Sequence, residues 1–213
     1  MGCDMHEWFL QTVEYQKFGW NITFISSIAI GIFTLVEAWG VWSQCTTIWS
    51  KKKGETLSVP WFAYDAGFCA LFSIYGVYNY SISAMINGGL IALLHVPILI
   101  GLWKYRGFVT RDWIVFTIAC VMPVLMIVLA WKDTMYFISV IAVLFVLMTQ
   151  PWELIKEKKR GNLDGRLIVG YLICGIFWII YACAFETHTF VIIATIMEII
   201  WFVTAVLWYR CEK

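Results

Sequence analysis

The sequence predicts an all-α membrane protein: seven transmembrane helices, set as two parallel three-helix bundles joined by a linker helix (3+1+3). Three observations predict it. The apolar residues fall in runs of bilayer-crossing length, the positive charges fall on one side, and a glutamine-plus-basic segment occurs twice.

Of 213 residues, 62% are hydrophobic and only 14% charged, and mean hydropathy is +0.79. The apolar runs are 18–42, 60–78, 81–103, 113–131, 135–148, 167–185 and 189–209, the fifth continuing through Pro151 to Ile155. Each is close to the roughly 20 residues a helix needs to cross the hydrocarbon core. Open strands cannot span lipid and the alternation of a barrel is absent, so the runs are helices. Residues 1–17 are polar and mildly acidic, unlike a cleavable signal peptide. Met1-Gly2-Cys3 is a lipidation-like start, but His6 stands where a Ser or Thr is expected.

Between the runs, Lys51, Lys52, Lys53, Lys104, Arg106, Arg111, Lys156, Lys158, Lys159, Arg160, Arg166, Arg210 and Lys213 fall on one side. Lys17 and Lys132 fall on the other. The positive-inside rule then puts the N-terminus outside and the C-terminus in the cytoplasm. Net charge is +1, and the basic loops read as topology signals, so no nucleic-acid partner is expected; lipid is. The seven cysteines show neither CxxC nor metal-ligand spacing. No nucleophile constellation appears either, so neither an enzyme nor a cofactor is expected.

The first three runs form one unit, 18–104, and the last three another, 135–210. The first ends Ser43-Gln44-Cys45 before Lys51-Lys52-Lys53-Gly54. The second repeats this as Thr149-Gln150-Pro151 before Lys158-Lys159-Arg160-Gly161. Two three-helix units joined directly would point in opposite directions. The single helix within 111–131 restores a common orientation, so the units pair as parallel repeats. Pro151 sits within a run and is expected to hinge it; Gln44 and Gln150 are then placed to satisfy carbonyls freed by bending.

Ionisable groups inside a membrane cost about 2.5–3.5 kcal/mol on the insertion scale, so each needs a reason. The chain has Glu37, Asp65, His95 and Glu198. Glu198 and His95 fall near mid-membrane on equivalent helices. They are expected either to face each other and exchange a proton, or to hydrogen-bond to neighbouring helices. Glu37 and Asp65 share an inner depth, suited to a gate or a cation; the alternative for Asp65 is an interfacial lysine. Asn87, Phe72 and Trp178 share an outer-half depth, and an amide with aromatic faces suits a polar solute.

The chain resembles the PQ-loop superfamily, which includes the SWEET sugar transporters, over nearly its whole length. The resemblance is carried by Gln44, Gly54, Ser58, Pro60, Ile74-Tyr75-Gly76, Met85-Ile86-Asn87 and Trp178-Ile179-Ile180-Tyr181. The family's Pro-Gln is Ser43-Gln44 here, and reversed as Gln150-Pro151. Where SWEETs have Pro-Asn in the last helix, this chain reads 192–198, so the second pocket asparagine has no counterpart. The resemblance implies a carrier that moves a small polar solute by alternating access, as uniporter or with a proton. It places Asn87 and Trp178 in the substrate pocket; with the residue readings above, Asn87, Trp178, Phe72, Thr195 and Glu198 would bind the solute. Glu37, Asp65, His95, Gln44, Gln150 and Pro151 would couple or gate. A PQ-loop-type receptor that binds a small ligand or a peptide tail without transport is the alternative, and homo-oligomers are left open.

Overall fold

The computed structural model describes residues 5–211, without the side chain of Thr189. The lipidation-like start and Lys213 lie outside the described residues. Every regular element of more than one residue among them is a helix: α1 (Met5–Gln11), α2 (Val13–Gln16), α3 (Ile22–Lys51), α4 (Val59–Tyr78), α5 (Ile82–Tyr105), α6 (Thr110–Val128), α7 (Lys132–Leu147), α8 (Thr149–Glu157), α9 (Gly165–Ala184) and α10 (His188–Arg210).

Local chemistry sets the boundaries. Asn21 caps α3, its side chain accepting from Phe24 N at 2.9 Å. The helix continues past Trp42 to Lys51, because 43–51 contains no glycine or proline to stop it, and ends at Lys52 in the left-handed conformation. Ser58 caps α4, with Pro60 in the first turn where no N–H is required. Asp164 caps α9. The expected fifth span is divided at Met148 into α7 and α8. Pro151 stands three residues after this break, which fits the hinge expected of it. It lies in the first turn of α8, where its missing N–H leaves no broken bond.

Six helical segments are long and apolar enough to cross a membrane: α3, α5, α6, α7 with α8, α9, and Phe190–Arg210 of α10. The remaining long helix, α4, has 20 residues, a span's length, but carries Asp65 and several hydroxyls. It is enclosed rather than peripheral, and its stretch from Val59 to Asp65 is buried throughout. Large apolar side chains such as Ile32, Leu93, Phe145 and Phe202 face outward, as lipid contact requires. Trp103, Trp113 and Trp131 are exposed at helix ends, the position of interfacial anchors.

α3 packs against α9 and α5, α4 against α5 and α6, and α10 against α9 and α8. Small residues allow the closest approaches. A Cβ on Gly40 would stand 3.1 Å from the Leu167 backbone, and one on Gly170 would stand 3.2 Å from that of Glu37. So α3 and α9 meet nearly backbone to backbone, a contact driven by packing rather than by water.

Residues 5–17 form short helices that dock on the end of the bundle away from the basic loops. Glu14 accepts from Ile82 N (3.0 Å), Ser83 N (2.9 Å) and Ser81 Oγ (3.1 Å). An anionic side chain thus covers the orphan N–H groups at the start of α5, where the helix dipole favours it.

Candidate functional site

A cavity of about 100 Å³ lies between α3, α4 and α5 on one side and α7, α9 and α10 on the other. Its polar walls are Glu37, Asp65, Asn87 and Glu198; its rings include Phe68, Phe72, Tyr136, Tyr171, Trp178, Phe190 and Trp201. A larger groove of about 530 Å³ between α4, α5 and α6 carries no charged side chain and offers little to recognise a polar solute.

Each carboxylate has a different setting. Glu37, halfway along α3 and buried, accepts from Asn87 Nδ2 at 2.8 Å. The same amide nitrogen donates to Thr34 Oγ1 at 3.0 Å, so both amide hydrogens of Asn87 are engaged. Asp65, also buried, accepts from Tyr171 Oη at 2.6 Å, and its Oδ2 lies 3.2 Å from His95 Nε2. His95 turns its other ring nitrogen to Ile91 O at 2.8 Å and is fully buried behind the cavity wall. Glu198 lines the cavity with no hydrogen bond or ion pair among the described residues. Gly175 lets it in, since a Cβ there would collide with its carboxylate.

Several expectations are revised by this geometry. His95 meets Asp65 and Tyr171, not Glu198, because it projects from α5 toward α4 and α9 rather than toward α10. Asp65 takes this buried partner instead of an interfacial lysine. Glu37 and Asp65 line one cavity but hold separate partners. Thr195 is exposed and bonds to its own helix at Val191 O (2.7 Å), outside the cavity walls. Asn87, Phe72, Trp178 and Glu198 do line it.

Gln44 and Gln150 are both fully buried, and they bond to loops rather than to carbonyls freed by bending. Gln44 donates to Asn162 O (2.9 Å) and accepts from Asp164 N (2.8 Å). Gln150 donates to Thr56 O (2.9 Å) and accepts from Ser58 N (3.0 Å). Neighbouring hydroxyls repeat the pattern: Ser43 and Thr47 each donate to Asp164 at 2.8 Å, and Thr149 pairs with Ser58 at 2.6 Å. Each glutamine thus clamps the two backbone groups that flank the residue just before a helix cap, Leu163 for Gln44 and Leu57 for Gln150. The two loops also touch, through Asn162 N and Glu55 O.

At the opposite end Phe72, Trp178 and Phe190 lie between the cavity and an outer hollow of about 280 Å³. Trp178 meets Phe72 at 5.3 Å and Phe190 at 5.9 Å between ring centroids. Tyr136 joins from α7, stacked on Tyr75 at 4.1 Å. Nothing in the sequence singles out Tyr136, Phe190 or Trp201. They sit in helices whose aromatic residues have no distinguishing spacing, and only packing selects which rings turn inward.

The long apolar helices, with large apolar side chains turned outward, mark an integral membrane protein. Compared with solved structures, the chain is similar to a eukaryotic SWEET transporter determined at 3.7 Å resolution. It matches with a TM-score of 0.61 at 11% identity, covering 89% of this chain and 98% of that one. The fold is therefore the SWEET fold. No family model and no curated protein matches the sequence.

Proposed function

We propose that this chain is a membrane carrier that moves a small polar solute by alternating access, as a uniporter or with a coupled proton. In this reading residues 18–104 and 135–210 are two parallel three-helix bundles, and the helix within 111–131 links them. Within the units α5 packs on both α3 and α4, and α10 on both α9 and α8; across them α3 packs on α9. α6 contributes nothing to the cavity wall, as befits a linker. The basic end is cytoplasmic and the N-terminus outside.

The observation that carries the reading is the position of the cavity. It lies between α3, α4 and α5 on one side and α7, α9 and α10 on the other, with the glutamine clamps toward the basic end and rings toward the other. Its volume is about 100 Å³. The likeness in fold to a SWEET transporter agrees with this reading. A receptor for a peptide carboxylate is disfavoured, because no lysine or arginine lines the cavity.

Counterflow in liposomes containing the purified protein tests this. Labelled sugars, amino acids and amines are offered in turn. Saturable exchange of at least one, reduced by Glu37→Gln, is expected. Ligand binding without exchange of any solute would make the protein a receptor and end the carrier reading.

A further inference from the structure

The cavity's chemistry says more about its solute than the fold does. Three carboxylates, Glu37, Asp65 and Glu198, line a cavity that no described lysine or arginine lines. His95 is the basic group nearest to them, and it is held behind the wall by Asp65 and Ile91 O. Asn87, whose amide could donate to a hydroxylated solute, has both hydrogens engaged by Glu37 and Thr34.

What remains is an excess of acceptors. Glu198 has no partner among the described residues. Asp65 is only 4% exposed, yet both of its contacts fall on Oδ2, leaving Oδ1 without a donor in the cavity wall. Carboxylate oxygens that face a cavity with few donors favour positive charge there, whether or not that charge brings an N–H. The rings of Trp178, Phe72 and Tyr136 line the same cavity. Indole and phenyl faces attract a cation and gain further when water is excluded.

We propose that the solute is a small organic cation, a protonated or quaternary amine, held between the Glu198 and Asp65 carboxylates and the Trp178 ring. This rests on the carrier reading and specifies its substrate class.

An isosteric pair isolates the charge. Choline and 3,3-dimethylbutan-1-ol have the same shape and differ in having nitrogen or carbon at the centre. Both are tested, with 1,4-diaminobutane, glucose and glutamate, for thermal stabilisation of the purified full chain and for exchange in liposomes. The expected result is stabilisation and exchange with one or both amines and with neither the alcohol, glucose nor glutamate. Glu198→Gln should weaken amine binding on the order of tenfold or more, the scale of one lost hydrogen bond to a charged group. Trp178→Phe keeps a ring and should weaken it less, which guards against misfolding as the cause of either loss.

Equal effects of choline and its neutral isostere would overturn the proposal. So would exchange of glucose or glutamate that Glu198→Gln leaves unchanged; the carrier reading would survive both results. Stabilisation by acidification alone, with amines adding nothing, would make the proton the cation and overturn it as well. Binding or exchange of no solute at all would bring down the carrier reading together with the proposal.

Discussion

The molecule has hydrogen-bonded glutamine clamps toward its basic end and ring faces at the other end of the cavity. At the basic end each contact is directional: an amide meets a particular carbonyl and a particular N–H across a buried boundary. Such a seal has one good geometry, and displacement leaves polar groups unsatisfied away from water. At the opposite end Phe72, Trp178 and Phe190 meet at 5.3–6.5 Å with mixed tilts. Ring contacts of this kind tolerate several arrangements at similar energy. The basic end therefore holds one geometry, while the other can shift by degrees.

The largest effect should come from breaking the directional seal. Gln44→Ala with Gln150→Ala orphans buried backbone groups at both clamps, each costing about 1–3 kcal/mol. The double variant should have the lowest melting temperature of the set. Cys45, 5% exposed in the intact protein, should become reactive to thiol reagents by mass-spectrometric mapping. An unreactive Cys45 would show that the clamps do not hold that end shut.

Next is Tyr171→Phe, between the two seals. It removes a 2.6 Å hydrogen bond to Asp65 and should cost about 1.5–3 kcal/mol, read as a lower denaturation midpoint. A smaller loss is expected at the ring seal. Trp178→Phe should cost about 0.5–1.5 kcal/mol of ring pairing, yet alter solute exchange more than the melting temperature. The smallest effect belongs to Thr195→Ala, which should leave stability within about 0.5 kcal/mol and exchange unchanged, since its hydroxyl bonds only to its own helix.

The helices were legible because a bilayer demands long apolar runs, and six of the seven became helices that qualify as spans on length and composition alone. The cavity acids were legible too, since Glu37, Asp65 and Glu198 stand out against apolar neighbours. Their partners were not. Helix direction gives a residue's depth but not its rotation, so His95 and Glu198 could share a level while facing different neighbours. Glu14 escaped notice for a related reason: it lies in a polar stretch where one carboxylate looks like any other until the start of α5 is brought against it. Thr195 was placed by resemblance to a position whose asparagine this chain lacks, and no local signal marked it as turned outward.

The crossing of the glutamine clamps also bears on how the protein is made. The partners of Gln150 lie earlier in the chain, so they are already present when α8 is synthesised. The carbonyl that Gln44 needs lies 118 residues later. While the chain is still growing, the first three long helices stand with Gln44 unanswered, and its latch can form only once Asn162 and Asp164 have followed α8. A chain interrupted between α8 and Asn162 would carry one latch of the two, and its quality would be judged by the cell on a half-closed end.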